Sequence, residues 1–133
     1  MRARHVVPLD DADTGVLHGR VGTFRILLDE VQAGVESHAL LVNTMRAGAK
    51  GDEHQHAESD QSMYVLSGTG TLHVGGKPHR VGPHMALFIP ASAQHRIEVD
   101  PYEDLTYVVV YAPAGPEQLL RANGERAFES IDH

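Results

Sequence analysis

The sequence predicts an all-β fold, a sandwich or barrel that is followed by one short helix. Three observations indicate this class: apolar runs are short, glycine and proline interrupt them, and turn signals recur about every eight to twelve residues. A chain of 133 residues, 41% of them hydrophobic, favours one domain around one core. We therefore expect a barrel over about residues 20–112, between an N-terminal arm at 1–19 and a C-terminal helical tail at 113–133.

Each predicted strand is a short run of β-branched, aromatic or aliphatic residues between turn residues. Such runs lie at 23–28, 38–45, 62–66, 71–74, 79–81, 86–89, 95–99 and 105–111. Gly75 and Gly76 predict a tight hairpin turn after the fourth run. Only the stretch 116–124 favours a helix, with proline near its start and glycine at its end. The polar, turn-rich segment 9–22 predicts no regular structure.

Composition and charge exclude several classes of function. The chain has no cysteine, which excludes disulfides, thiolate metal sites and a cysteine nucleophile. Its net charge of -7 disfavours nucleic acid and anionic membranes as partners. No long apolar run follows Met1 as in a signal peptide, and no segment reaches the length of a membrane-spanning helix. We expect a soluble cytoplasmic protein.

His54 and His56 are the most informative residues, because alternate side chains of a β-strand point to the same face. Two imidazoles on one face can bind one divalent metal, and imidazole suits zinc, iron, copper and nickel. Further ligands must come from other strands: His95 begins a later strand, and Gln61 opens the strand after the histidine pair. Three histidines and one oxygen would leave coordination positions open, which is typical of catalytic sites. The alternative is that these are surface histidines, since the chain has 10 histidines in all.

The region around the histidine pair resembles the first motif of the cupin superfamily, in which glycine, His-x-His, glutamate and a second glycine have fixed spacings. Gly48, His54, His56 and Gly68 stand where this motif requires them, and Gln61 stands at the position of the glutamate. The resemblance implies a double-stranded β-helix, the jelly-roll or cupin barrel, that binds one divalent transition metal: zinc, iron, nickel, manganese or copper. The expected metal ligands are then His54, His56, Gln61 and His95.

A second stretch resembles the second cupin motif. Pro90 and His95 match that motif, whereas His84 and Ser92 replace two of its glycines. The short stretch between the two motifs is similar to that of bacterial single-domain cupins. The resemblance spans roughly residues 40–112.

The glutamine at position 61 bears on mechanism. A glutamate would lower the charge at the metal by one unit and could accept a proton, whereas glutamine does neither. A metal bound by three histidines and an amide would keep its double positive charge and be a stronger Lewis acid. The alternative is that Gln61 does not contact the metal and only forms a hydrogen bond beside it. No residue is assigned here as the catalytic acid or base.

Strand parity predicts the apolar walls of a small-molecule pocket beside the metal. Two of these residues share the side of Gln61, and two share the side of His95. Phe88, shortly before Pro90, adds a further apolar residue, with Leu87 as its alternative. The expected lining residues are Met63, Val65, Phe88, Ile97 and Val99.

The resemblance leaves three functions open. The first is a metal-dependent enzyme that binds a small oxygen-rich organic substrate, with dioxygenase-like chemistry. The second is non-redox Lewis-acid chemistry, as in polyketide cyclases, isomerases or lyases of the cupin type, with zinc or another divalent ion. The third is a small-molecule-binding module without catalysis. Exposed sheet edges, together with the habit of bacterial single-domain cupins, predict a homodimer that could exchange the segment before Leu28.

Overall fold

The computed structural model describes residues 4–123 and contains two antiparallel sheets. Two 3-10 turns, Leu9–Asp11 and His18–Arg20, flank the first strand. The strands and helices in chain order are β1 (Asp13–Val16), β2 (Gly22–Leu28), α1 (Glu30–Ala33), β3 (Ala39–Met45), β4 (Asp60–Ser67), β5 (Gly70–Val74), β6 (Lys77–Val81), β7 (Ala86–Ile89), β8 (His95–Val99), β9 (Leu105–Ala112) and α2 (Pro116–Asn123). The prediction of an all-β fold with a short C-terminal helix is confirmed. Within residues 4–123, no helix is long and apolar enough to cross a membrane.

The two sheets enclose one hydrophobic core. The larger sheet has six strands in the order β1-β2-β3-β9-β4-β7, and the smaller sheet has three in the order β6-β5-β8. Strand β9, the last strand of the barrel, therefore lies between β3 and β4. It joins strands β1 to β3 to strands β4 and β7 in one sheet. Leu41 and Val109 of the larger sheet and Leu72 and Ile97 of the smaller sheet belong to the same core cluster. This arrangement is the jelly roll that the sequence predicts.

Strands β3 and β9 form one wall of the functional site. Each buries every second residue, as expected for strands with one face toward the core. Three inward positions carry polar groups: Asn43 on β3, and Tyr107 and Tyr111 on β9. The register pairs Asn43 with Tyr107. A polar group on a core-facing side indicates a place where apolar packing gives way to a cavity.

The segment 9–22, for which the sequence predicts no regular structure, pairs with the barrel. Strand β1 pairs antiparallel with β2 of the same chain, with Gly15 opposite Phe24. A Cβ atom on Gly15 would lie 2.3 Å from Cζ of Phe24, so any larger residue at position 15 would require the ring of Phe24 to move. Leu17, just after β1, is fully buried in the core. Residues 124–133 of the expected C-terminal tail lie outside the described residues.

Helix α2 is attached to the barrel through the buried carboxylate of Asp29. Arg121 donates hydrogen bonds from Nε and Nη2 to this carboxylate at 2.7 and 2.8 Å, and Gln118 donates another at 2.9 Å. Asp29 also caps α1 by accepting a hydrogen bond from the Gln32 N–H at 2.8 Å. Because Asp29 is fully buried, its charge depends on these donors.

Candidate metal centre

The two motif histidines that are far apart in sequence meet through a backbone bridge. The N–H of His54 donates to the carbonyl of His95 at 2.9 Å, and the N–H of His95 donates to the carbonyl of His54 at 2.8 Å. His95 begins β8, as the sequence predicts. His54 and His56, however, do not lie on a regular strand: the segment 51–59 is irregular apart from this single bridge.

The turn between β7 and β8, which contains Ser92, holds the irregular segment in place, and His84 lies in the separate turn between β6 and β7. His84 and Ser92, which replace motif glycines, have φ angles of 68° and 70°, so the backbone keeps the conformation that glycine adopts most easily. The N–H of Ser92 donates to the carbonyl of His56 at 2.9 Å, and its hydroxyl donates to the carbonyl of Ala57 at 3.0 Å. These bonds fix His56 against the turn that leads into β8.

The structure brings the imidazoles of His54, His56 and His95 together. One ligand nitrogen from each lies within 4.8 Å of the others, which is the spacing that a single ion can bridge. The ring centroids of His54 and His95 are 4.1 Å apart, and those of His56 and His95 are 5.4 Å apart. Among the described residues, these three histidines form the group of side chains whose ligand atoms lie close enough together to hold a metal ion.

Backbone carbonyls select the ring nitrogens that face the centre. Nδ1 of His54 lies 2.9 Å from the carbonyl of Asp52, and Nδ1 of His95 lies 3.0 Å from the carbonyl of Ala93. Each Nδ1–H can donate to its carbonyl, which leaves the lone pair on Nε2. Nε2 of His56 and of His95 is buried and has no hydrogen-bond partner in the described part of the chain. Buried ring nitrogens without hydrogen-bond partners fit a divalent metal ion.

Burial keeps these imidazoles neutral, which is the form that binds a metal. Burial, together with the neighbouring His95, lowers the pKa of His54 to about 3 and that of His56 to about 4. Burial also lowers the pKa of His95. At neutral pH, the three rings would therefore bind an ion without first losing a proton.

Gln61 lies on β4 beside the histidines and is 5% exposed. Its Nε2 donates to the sulfur of Met63 at 3.3 Å, whereas its Oε1 is buried without a hydrogen-bond partner in the region the structure describes. Gln61 is also close enough to His56 to oppose slightly the lowering of that residue's pKa. An orphaned amide oxygen beside three imidazoles is suited to contact a cation or a substrate donor.

A cavity of about 220 Å³ opens onto this centre. His54, Gln61 and His95 line one side of it, and Ile97 lines it as expected from the sequence. Its remaining walls come from the turn after β1, from β3 and its following loop, and from β9; they include Leu17, His18, Val21, Asn43, Met45, Lys50, Asp52, Tyr107 and Tyr111.

The other residues expected to line the pocket lie elsewhere. Met63, Val65 and Val99 are buried in the hydrophobic core and are not in the cavity lining. Phe88 is 59% exposed, because the register pairs it with the outward-facing Ser62, and its neighbour Ile89 points inward instead. The expectation that Phe88 lines the pocket is therefore wrong, and its alternative Leu87 is not in the cavity lining either.

Sequence reasoning missed several cavity residues. Tyr107 and Tyr111 share the inward side of β9, so strand alternation alone could have placed them inside the barrel. Asn43 is the polar residue in the inward row of β3, which is a second usable signal. His18 carried no signal of this kind, because its position depends on how the turn after β1 packs over the cavity.

The comparisons with known proteins agree with this fold. The family model of the cupin domain matches residues 41–111, which is more than half of the chain, and the chain belongs to the cupin family. Among solved structures, KdgF from a Halomonas species superposes with a TM-score of 0.73 at 18% identity, covering 86% of this chain and 98% of that chain. Pac13 from Streptomyces, described as a nucleoside dehydratase, superposes with a TM-score of 0.68 at 17% identity, covering 86% and 87%. At these identities the likeness establishes the fold.

Three curated relatives come from Streptomyces. Protein SchB of Streptomyces halstedii is 31% identical over 91 residues, covering 68% of this chain and 64% of the relative. The polyketide synthase protein CurC of Streptomyces cyaneus is 29% identical, covering 76% and 66%. The tetracenomycin polyketide synthase protein TcmJ of Streptomyces glaucescens is 32% identical, covering 61% and 54%. The matched region thus spans between about half and two thirds of the length of each relative.

Proposed function

We propose that this chain is a metal-dependent cupin enzyme that acts on a small, oxygen-rich polyketide-type substrate by non-redox chemistry. His54, His56 and His95 would hold one divalent transition metal, with zinc as the first choice and iron, nickel, manganese or copper as alternatives. The observation that carries the proposal is the convergence of three ligand nitrogens within 4.8 Å, with two of the three histidines, His54 and His95, lining a cavity. When bound, such a metal supplies Lewis-acid polarisation of a carbonyl or hydroxyl oxygen.

The substrate class rests on two supports. Two of the relatives at about 30% identity bear polyketide synthase names, and a polyketide chain carries alternating carbonyl groups. The cavity of about 220 Å³ is smaller than typical pockets for drug-sized ligands, so it would hold a small molecule or one end of a longer chain. A β-dicarbonyl unit meets both conditions.

Three polar residues of β3 and β9 line the cavity and can form hydrogen bonds with a substrate, and one of them, Tyr111, lies beside His56 with ring centroids 5.2 Å apart. Burial raises the pKa of Tyr107 to about 12, and burial raises the pKa of Tyr111 as well. Both phenols therefore keep their protons at neutral pH and can donate to a substrate oxygen. Asn43, whose buried Oδ1 has no hydrogen-bond partner in the described region, can accept from a substrate hydroxyl. These groups would orient an oxygen-rich substrate within an otherwise apolar cavity.

Gln61 favours non-redox chemistry over dioxygenase-like chemistry. An amide in place of a carboxylate leaves the charge of the cation undiminished, which increases its power as a Lewis acid. The histidine donors also suit iron, copper and nickel, so oxygen-dependent cleavage is the competing function. A third reading, a binding module without catalysis, would use the same cavity and turn nothing over.

A homodimer is a further prediction from the sheet edges. Strands β7 and β1 end the larger sheet of the described chain, and β6 and β8 end the smaller one. Unpaired edges of this kind tend to be covered by another chain. Sedimentation equilibrium at micromolar concentration would test this, and a monomer would contradict it.

The metal and the reaction class can be tested together. The protein is stripped with a chelator and loaded separately with zinc, iron(II) and nickel, and the metal bound per chain is measured. Each form is then incubated with a synthetic polyketone while dissolved oxygen is monitored. We expect zinc to bind stoichiometrically and the product to have lost one water without oxygen uptake. Failure of all three metals to bind would overturn the proposal, and metal-dependent oxygen uptake would favour the dioxygenase function.

A further inference from the structure

The turn that follows β1 carries a histidine to the cavity. His18 begins the 3-10 turn His18–Arg20, which closes when the N–H of Arg20 donates to the carbonyl of Leu17 at 3.0 Å. The N–H of Leu17 in turn donates to the carbonyl of Gly22 at 2.9 Å, and the side chain of Leu17 is fully buried. Gly19 and Arg20 take left-handed φ angles of 71° and 58°. The position of His18 is therefore set by a tight, anchored turn.

His18 lines the same cavity as His54 and His95, two of the three metal-binding histidines. Its side chain is 25% exposed, and its Nε2 lies 3.8 Å from Oδ2 of Asp52. The backbone carbonyl of Asp52 is the partner of Nδ1 of His54. Asp52 thus contacts the imidazole of His18 with its carboxylate and an imidazole of the centre with its backbone.

The proposed chemistry needs a group that accepts a proton from carbon, and the cavity offers few candidates. Gln61 cannot accept one, since an amide is not a base at neutral pH. The pKa values of Tyr107 and Tyr111 are raised, so both are proton donors. Lysine side chains are ordinarily cations at neutral pH, so Lys50 is not a candidate base.

Asp52 and His18 are then the remaining candidates outside the metal-binding histidines. The Asp52 side chain is 70% exposed, and carboxylates in water are weak bases. An imidazole is the most common general base in enzymes. The Asp52 carboxylate at 3.8 Å would stabilise the imidazolium that forms when His18 gains a proton.

We propose that His18 is the catalytic base that removes the proton from the carbon between two carbonyls of a β-dicarbonyl substrate, with Asp52 as its positioning residue. This inference rests on the function proposed above. In the step, the C–H bond breaks, its electron pair becomes part of the enolate of the substrate, and the proton passes to Nδ1 of His18, because Nε2 faces Asp52. The same proton can return to carbon, or leave with a hydroxyl as water after ring closure, so no oxidant or reductant is required.

Hydrogen exchange on a simple probe tests the step. Methylacetylacetone is a small β-diketone with a single C–H bond between its two carbonyls. The zinc-loaded protein is incubated with it in D₂O, and loss of that proton is followed by NMR. We expect His18→Gln to slow the enzyme-dependent exchange about 100-fold, the usual scale for a general base. We expect Asp52→Asn to slow it about fivefold, the effect of one exposed charge near 4 Å.

Three further readings separate a base from a structural residue. His18→Gln should keep the zinc content and the dissociation constant for the diketone of the unchanged protein, since His18 binds neither. In His18→Ala, added imidazole should restore exchange, because it can occupy the space of the missing ring. His79→Gln, which alters an exposed histidine on β6, is the matched control and should exchange at the normal rate.

The outcomes distinguish this inference from the proposed function. If the unchanged zinc protein exchanges no faster than buffer, the proposed Lewis-acid function is wrong, and this inference is refuted with it. If the unchanged protein exchanges and His18→Gln matches it, only the assignment of His18 is overturned. Loss of zinc in His18→Gln, or no response of His18→Ala to imidazole, would also reject His18 as the base.

Discussion

His54 and His95 pair through their backbones at the point where their side chains meet. Two reciprocal hydrogen bonds of 2.9 and 2.8 Å join them, and their ring centroids lie 4.1 Å apart. The spacing between two ligands from distant parts of the chain is therefore set by the backbone. A site that is organised before its ion arrives loses little conformational entropy on binding.

The first prediction concerns metal binding by these residues. His95→Ala removes one of three donors, so we expect stoichiometric zinc binding to be lost. Thermal unfolding gives a second reading: in the unchanged protein, zinc at about 100 times its dissociation constant should add about 2.7 kcal/mol to the free energy of unfolding, and in His95→Ala it should add nothing. His79→Ala, on the exposed strand β6, is the control and should behave as the unchanged protein. Zinc bound at full stoichiometry by His95→Ala would reject the centre.

The second prediction concerns the charge beside the histidines. Gln61→Glu places a carboxylate where the side chain is 5% exposed and near three neutral imidazoles. Without metal, we expect this variant to lose about 2 kcal/mol or more of unfolding free energy, since a buried charge is costly. With zinc bound, attraction between the carboxylate and the cation should turn this loss of unfolding free energy into a gain. Zinc should also bind about tenfold more tightly.

Gln61→Leu is the matched comparison for that variant. It removes the amide without adding charge, so it should leave the stability of the metal-free protein close to normal and weaken zinc binding only if Oε1 is a ligand. Calorimetric titration with zinc and thermal unfolding with and without zinc measure all of these quantities. If Gln61→Glu leaves zinc affinity unchanged, residue 61 does not approach the ion.

Much of the centre could be predicted from the sequence because local spacing encodes it. The positions of His54, His56 and His95 within two short motifs indicate one metal, and the structure brings the three rings together. The reason differs in part from strand parity, because the segment 51–59 is irregular and is held by one bridge and by Ser92. The motif spacing therefore predicted the cluster correctly, although the strand assumed for His54 and His56 is absent.

The rest depends on tertiary packing that the sequence does not display. Strand β9 enters between β3 and β4, and this topology carries Tyr107 and Tyr111 to the cavity. His18 reaches the cavity only because β1 pairs with β2 and the buried Leu17 anchors the turn. Phe88 faces outward because of its register with β4. Strand pairings decide each of these positions: alternation along β9 reports that Tyr107 and Tyr111 face inward, but not that they reach the cavity.

The third prediction concerns acid stability. Burial tends to raise the pKa of Asp29, but the hydrogen bonds from Arg121 and from the Gln32 N–H outweigh burial and lower it below its ordinary value. The folded protein therefore binds fewer protons than the unfolded chain just below about pH 3.9, the unfolded value for aspartate. The stability that Asp29 contributes is present above that pH and is lost as the pH falls through the folded pKa.

We expect Asp29→Asn to be less stable than the unchanged protein at neutral pH and to show a smaller loss of stability on acidification. Asparagine can still cap α1, so the difference reports the charge. Urea unfolding between about pH 5 and pH 2 measures it. Asp11→Asn, which breaks the exposed pair with Arg4, should leave the acid profile nearly unchanged. Parallel acid profiles for Asp29→Asn and the unchanged protein would contradict the prediction.

The fourth prediction concerns Gly68, the glycine that closes the first cupin motif. Its φ angle is 92°, and a Cβ atom there would lie 2.3 Å from the carbonyl oxygen of Asp104 and 2.7 Å from Cα of Leu105. Gly76 has a similar φ of 81°, but a Cβ atom there would meet no atom within 4 Å. Gly76→Ala should therefore cost about 1 kcal/mol of unfolding free energy from backbone strain alone.

Gly68→Ala should cost more than about 2 kcal/mol, because it adds a clash with backbone atoms to the same strain. The clash separates the end of β4 from the start of β9, and these strands carry Gln61 and Tyr111. We therefore expect zinc affinity to fall in Gly68→Ala and to remain normal in Gly76→Ala. Chemical unfolding gives the two free energies, and calorimetry gives the two affinities. Equal stability losses in the two variants would show that close approach of β9 does not require a glycine at position 68.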